Sequence, residues 1–193
     1  LRCYDRVEDD GKRRWEYAIT TASLDGNDLR PVYRDKYLGM PVYMPDGKRL
    51  CFDAPMQRQG RVLVVCEDKA DATAQQLATC PAGTYAQWLD WSRDGARLIA
   101  STYGYTPVRH NDLVAFEAKR MSKPVTLYTT QDTIHYPTLT ADGQTVVFLQ
   151  ADDQRGLTLC CVGAKAPTRQ PRLMLKDGLT ASPPSISPDG KRL

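Results

Sequence analysis

The sequence predicts an all-β fold built from four copies of one four-stranded antiparallel unit. Three observations predict it: a motif recurs about every 48 residues, apolar residues alternate with period two after each copy, and no stretch shows a sustained helical period. Radial repetition of such units is the way a β-propeller protects its sheet edges. The predicted fold class is therefore a β-propeller, with four blades visible.

The recurring motif centres on an Asp-Gly pair. Its Asp stands at positions 46, 94, 142 and 189, at spacings of 48, 48 and 47 residues. Because Gly adopts positive φ without strain and Asp tolerates it, the pair predicts a hairpin turn. We assign a structural role at these turns to Asp46, Gly47, Asp94, Gly95, Asp142, Gly143, Asp189 and Gly190.

Each Asp-Gly turn joins the first two strands of a unit, and a second hairpin and a closing strand follow. The predicted blades span residues 1-35, completed by 182-193, then 40-80, 87-129 and 135-176. The chain thus starts at a second strand and stops just after a first strand and its turn. Either four blades close on themselves, with 182–187 pairing with the strand that begins at Leu1, or the chain is a stretch of a larger propeller. Both ends look cut, which favours the larger propeller.

The segment 187–193, Ser-Pro-Asp-Gly-Lys-Arg-Leu, resembles the WD40-like PD40 repeat of TolB-type propellers. The segment 23–30 is similar to that family's loop into the outermost strand, and the resemblance extends over all four repeats. True WD40 blades end in Trp-Asp, whereas Asp90-Trp91 has the reverse order and lies on another strand. The resemblance implies a protein–protein interaction scaffold in a bacterial periplasm or cell envelope, or in a larger assembly.

The residues offer little for catalysis. Nucleophilic catalysis needs a Ser or Cys beside a base, but the chain has only two histidines, His110 and His135, and no Gly-x-Ser-x-Gly segment. The sequence therefore predicts that the chain is not an enzyme. An alternative is the non-catalytic propeller of a prolyl-oligopeptidase-type serine peptidase, whose hydrolase domain would lie outside this chain.

Composition and cysteine spacing predict no cofactor, no metal, no nucleic-acid partner and no membrane insertion. The net charge is only +3, and no apolar run approaches the ~20 residues of a membrane span. The six cysteines show no Cys-x-x-Cys spacing. Cys51 and Cys66 lie on opposite arms of one predicted hairpin, which leaves a disulfide and two reduced thiols both open. Cys160 and Cys161 are adjacent in a strand and should point to opposite faces.

Surface recognition remains as the functional hypothesis. By repeat position, four residues fall at the entrances of the innermost strands, where they would form an aromatic- and Met-rich patch typical of binding sites. The expected partner is another protein, or further copies of the chain in an assembly. The alternative is that these side chains pack between blades, and the residues leave both readings open. The four residues are Met40, Trp88, His135 and Tyr136.

Overall fold

The computed structural model describes residues 2–9, 12–56, 60–105, 108–152, 156–175, 182–187 and 192. Within these ranges it contains β-strands and one 3-10 turn, and it confirms the predicted all-β fold. None of its described helical segments is long and apolar enough to cross a membrane. The strands are β1 (Arg2–Asp9), β2 (Lys12–Thr21), β3 (Arg30–Asp35), β4 (Val42–Tyr43), β5 (Arg49–Met56), β6 (Gly60–Glu67), β7 (Gln75–Thr79), β8 (Thr84–Trp91), β9 (Arg97–Gly104), β10 (His110–Glu117), β11 (Val125–Thr130), β12 (Thr133–Leu139), β13 (Thr145–Asp152), β14 (Gly156–Gly163) and β15 (Arg172–Leu175).

The strands form four antiparallel sheets in which neighbours in the chain are neighbours in the sheet. Sheet A contains β1 to β3, sheet B β4 to β7, sheet C β8 to β11 and sheet D β12 to β15. Sheets B, C and D have the predicted four strands, and sheet A has three among the described residues. The segment 182–187 lies outside any strand of the described chain. Its pairing with the strand that begins at Leu1 stays a prediction.

The chain divides into two compact units, each with its own core. Sheets A and B belong to the unit Leu1–Thr79, and sheets C and D to the unit Cys80–Leu193. Period-two alternation turns every second apolar side chain of a strand to the same face, where the facing sheet covers it. Fully buried residues of the first core include Ile19, Val32, Phe52 and Val62, and those of the second include Ile99, Leu113, Leu127, Ile134 and Phe148.

The Asp-Gly turns form as predicted wherever the structure describes them. Gly47, Gly95 and Gly143 adopt φ values of 66°, 68° and 65°. The Asp142 carboxylate accepts a hydrogen bond from the Gln144 N–H at 3.0 Å, which ties the turn to its own backbone. Asp189 and Gly190 lie outside the described residues. The Ser187 N–H nevertheless donates to the Arg192 carbonyl at 2.9 Å, the same closing bond that joins Thr140 and Thr145 at 2.9 Å.

The strand register decides whether Cys51 and Cys66 form a disulfide, and it tests the predicted faces of Cys160 and Cys161. Cys51 lies opposite Val65, and Cys66 lies opposite Leu50. Side chains one register step apart point to opposite faces, so Cys51 and Cys66 do not form a disulfide with each other, and both are reduced. Burial, with a smaller contribution from Asp68, raises the pKa of Cys66 to about 11. As predicted, Cys160 and Cys161 lie on opposite faces of sheet D, in two different apolar clusters.

Candidate functional site

The inner strands β8 and β12 bring together three of the four residues predicted to form a binding face. The ring centroids of Trp88 and Tyr136 are 4.2 Å apart, and the His135 ring lies 6.4 Å from Trp88 and 5.8 Å from Tyr136. We call these three residues the aromatic cluster. Met40 lies in the other compact unit, just before β4, and its side chain is 38% exposed.

Both strands carry an irregularity at the aromatic cluster. The pairing of β8 with β9 shifts between Ala86 and Trp88, and that of β12 with β13 shifts between His135 and Thr138. Trp88 and Tyr136 lie inside their strands rather than at the predicted entrances, because β8 begins at Thr84 and β12 begins at Thr133. β-Bulges re-aim side chains and recur next to binding sites.

Tyr136 is the most strained residue of the cluster. Its φ of 48° lies in the left-handed region, which costs a bulky L-residue about 1–3 kcal/mol. The ring is only partly buried, and it packs against the sheet D cluster formed by Val147, Leu149, Leu159 and Cys161. The cluster thus has features of both hypotheses from the sequence, a binding patch and packed side chains. Its rings pack on one another and on a sheet, yet all three stay partly accessible.

Burial favours the neutral form of the histidine in the cluster. Burial lowers the pKa of His135 below its usual 6.5, since a partly buried imidazole loses hydration of its charged form. The shift therefore favours an uncharged aromatic surface at the cluster. The other histidine lies elsewhere, with its Nδ1 2.8 Å from the Val108 carbonyl oxygen and its Nε2 3.7 Å from the Asp112 carboxylate.

A pocket of about 340 Å³ lies beside the aromatic cluster, and we call it the inner-strand pocket. Asp90 and Thr138, two residues beyond Trp88 and Tyr136 on their strands, line it. Asp90 Oδ2 accepts hydrogen bonds from Thr138 Oγ1 and from the Leu139 N–H, both at 2.9 Å. The other lining residues are Trp91, Arg93, Leu139, Thr140, Ala141, Pro184, Ser185, Ile186 and Ser187.

Three residues that line the pocket occupy the same position in three successive copies of the motif. Asp90, Thr138 and Ser185 each stand four residues before the Asp of an Asp-Gly pair, and Val42 is the fourth member of the set. Ile186 packs on the same sheet D cluster as Tyr136, so this residue of the segment 182–187 lies over sheet D. Sequence reasoning missed Asp90. Comparing this repeat position would have found it, because Asp90 is its only carboxylate.

Burial dominates the electrostatics of Asp90. It raises the pKa of Asp90 above the usual 3.8, although hydrogen bonds from Leu139, Thr138 and the Trp91 backbone oppose the shift. Among the described residues, no Lys, Arg or His side chain forms an ion pair with it. Its hydrogen-bond partners are therefore neutral donors.

A second aromatic group lies at the end of sheet C opposite the Asp94-Gly95 turn. The Tyr103 ring lies 5.6 Å from Tyr85 and 4.7 Å from Tyr105, and the Arg109 guanidinium stands 5.4 Å from its centroid. Tyr105 is 66% exposed. Sequence analysis did not select this group, because its members come from β8, β9 and the connection from β9 to β10, which carry no repeated signal.

The described part of the chain contains no cluster of three or more His, Cys, Asp or Glu side chains placed to hold a metal ion. The chemistry available at the inner-strand pocket is that of one carboxylate, the exposed Arg93 guanidinium, several hydroxyls and an adjoining aromatic surface. Such a set binds and orients a partner group.

Comparisons with known proteins identify structural similarity at low sequence identity. No protein-family model matches the chain, and no curated protein sequence does. TolB from Acinetobacter baumannii superposes with a TM-score of 0.51 at 13% identity, over 91% of this chain and 52% of that one. The β-propeller domain of the Trilobed protease from Pyrococcus furiosus gives 0.53 at 12% identity, over 91% and 53%. A puromycin-hydrolyzing peptidase from Mycobacterium tuberculosis gives 0.53 at 14%, over 88% and 30%.

The chain therefore spans about half of the TolB and Trilobed propeller chains, and less of the peptidase. At identities this low the similarity establishes the fold and leaves function to the site. The repeated antiparallel sheets and these neighbours show that the chain is a β-propeller.

Proposed function

We propose that the chain is a non-catalytic module that binds another protein through the aromatic cluster and the inner-strand pocket. The observation that carries this proposal is the mutual contact of Trp88, His135 and Tyr136 beside a partly buried carboxylate. Partly exposed Trp and Tyr rings next to a pocket are the side chains that dominate binding energy at protein interfaces.

The strain at Tyr136 supports the same proposal. A left-handed Tyr persists only where its surroundings hold it, and such residues cluster at binding sites. The fold similarity to TolB supports a setting in the bacterial periplasm or cell envelope. A larger assembly, in which further copies of the chain are the partners, is the other setting that fits a repeat protein.

Site-specific photocrosslinking tests the proposal. We would place p-benzoylphenylalanine at Trp88, Tyr136 or Met40 in the organism that encodes the chain, and identify adducts by mass spectrometry. Thr126, an exposed residue of the outermost strand β11, is the matched control site. The proposal predicts one partner crosslinked from Trp88 and Tyr136 and absent from Thr126. Adducts confined to Thr126, or none at either inner-strand position, would overturn it.

The comparisons support one second candidate to the same degree. The Trilobed protease propeller overlaps 91% of this chain, as TolB does, so the chain fits the non-catalytic propeller of a serine peptidase equally well. A fluorophosphonate probe on the native full-length protein separates the two. Covalent labelling would support the peptidase reading, and an unlabelled protein that still crosslinks through Trp88 would support the binding module.

A further inference from the structure

The inner-strand pocket carries information about the chemistry of its occupant. It is built by the inner strands β8 and β12 together with 182–187, and its volume of about 340 Å³ accommodates one amino-acid side chain rather than a folded element. Asp90 lies on the side of β8 that meets β12, because its carboxylate bonds to Thr138 and Leu139.

The Asp90 carboxylate is only partly exposed to water, and its hydrogen bonds come from neutral protein groups. Two hydrogen bonds at 2.9 Å reach the same oxygen, Oδ2. Arg93 also lines the pocket, but it is exposed and forms no ion pair with Asp90 in the described structure. Burying a carboxylate without a positive partner costs free energy. A positively charged donor would stabilise it strongly, because charge-assisted hydrogen bonds are about twice as strong as neutral ones.

The surroundings favour an organic cation over a metal ion. One carboxylate with a few hydroxyls falls short of the oxygen ligands that Ca²⁺ or Mg²⁺ requires. The hydroxyl of Ser185, which is exposed at the pocket, can accept a second hydrogen bond from an N–H donor. The Trp88 and Tyr136 rings, two residues before Asp90 and Thr138 in the chain, are partly exposed, and aromatic rings attract cations.

We propose that the inner-strand pocket binds a cationic nitrogen of a partner polypeptide, an ammonium or a guanidinium group, with Asp90 as its counter-ion. This inference rests on the proposed function and adds the chemistry of the recognised group. The shared chemistry has two sources, a Lys or Arg side chain and a free chain N-terminus. Both present N–H donors with a positive charge.

Nuclear magnetic resonance titration of the protein at pH 6.5 tests the inference with small probes. N-acetyl-lysine methylamide carries a side-chain ammonium, glycinamide carries only an α-ammonium, and N-acetyl-norleucine methylamide is the neutral analogue. We expect saturable shifts of the Leu139 and Trp91 amides with at least one cationic probe, weakened by salt, and none with the norleucine probe. The cationic probe that binds more tightly identifies the source. Equal saturable shifts with the lysine and norleucine probes, or no response to either cation, would overturn the inference.

Two variants connect the response to Asp90. Asp90→Asn keeps an oxygen acceptor for Thr138 and Leu139 but removes the charge, and we expect cation binding to weaken about tenfold or more. Glu117→Gln removes a carboxylate of the same unit that pairs with Arg97 at 2.7 Å and does not line the pocket, and it should bind as the unaltered protein does. Unchanged affinity in a folded Asp90→Asn would contradict the inference.

A third variant keeps the inference testable if Asp90→Asn fails to fold. Ser185→Lys places a tethered ammonium at an exposed lining position, while Ser185→Gln is its neutral control. We expect the lysine to abolish binding of the cationic probes, and the glutamine, whose amide oxygen can still accept a hydrogen bond, to weaken their binding far less. The proposed function fails separately: if Tyr136 still crosslinks to its partner while the probes do not bind, the pocket inference falls and the binding module stands.

Discussion

Folding shifts the pKa values of two aspartates, Asp68 and Asp90, in opposite directions. Asp68 accepts hydrogen bonds from the Tyr43 hydroxyl at 2.7 Å and the Thr21 hydroxyl at 2.8 Å, and Arg30 lies 3.4 Å away. Burial works to raise the pKa of Asp68, but these hydrogen bonds and the Arg30 charge outweigh it and hold that pKa below its usual value. At Asp90 burial outweighs the hydrogen bonds, and the pKa lies above its usual value.

Asp68→Asn should destabilise the protein at neutral pH. A folded-state pKa that is lowered contributes stability above the unfolded value of about 3.9, and this stability is lost as pH falls through the folded value. Thermal unfolding from pH 7 to pH 2.5 measures it. We expect the melting temperature of the variant to lie below that of the unaltered protein at pH 7, and the gap to close in acid. A gap that widens in acid would contradict this account of Asp68.

Asp90→Asn should show the reverse dependence. A raised folded-state pKa means that stability falls as pH rises from about 3.9 through the folded value, and that the ionised group remains costly above it. The Asn variant escapes this cost. Relative to the unaltered protein, we expect its melting temperature to rise as pH increases from 3 to 7. A relative fall over that range would show that hydrogen bonds, not burial, govern Asp90.

At the scale of elements, the Asp-Gly turns depend on their glycines for conformation rather than for space. Gly143 has φ +65°, and an added Cβ would meet nothing within 4 Å. Gly143→Ala should therefore lower the free energy of unfolding by about 1–2 kcal/mol through backbone strain alone. Gly163→Ala is the matched control: an added Cβ there also meets nothing within 4 Å, and no positive φ is involved. Urea unfolding of both variants checks this, and equal losses would contradict it.

These turns were predictable because their chemistry is local, whereas the bulges were not. The Gly φ values and the Asp-to-backbone bonds follow from a pair of adjacent residues. The register shifts before Trp88 and after His135 depend on how each strand pairs with the adjacent strand, and no residue type in the sequence predicts them. Sequence analysis therefore placed these residues at strand entrances, although they lie within strands.

At the scale of the whole molecule, the repeat spacing predicted the sheets and part of the site. Equivalent positions of successive inner strands come together, so Trp88 meets Tyr136 and Asp90 meets Thr138, each pair 48 residues apart. The aromatic residues were selected from this spacing. Asp90 was not, because the pattern alone does not reveal which side of an inner strand is withdrawn from water. Met40, the first member of the series, belongs to the other compact unit.

The central claim is that the aromatic cluster is the binding surface, and the affinity of the crosslinked partner for two alanine variants tests it most directly. Trp88→Ala removes the ring that contacts both His135 and Tyr136. Tyr105→Ala removes a 66% exposed ring from the second aromatic group of the same unit. By isothermal titration calorimetry, with folding of both variants verified by circular dichroism, we predict a loss of about 2 kcal/mol or more, roughly thirtyfold in Kd, for Trp88→Ala and no loss for Tyr105→Ala. Unchanged affinity in Trp88→Ala, or an equal loss in Tyr105→Ala, would contradict the claim.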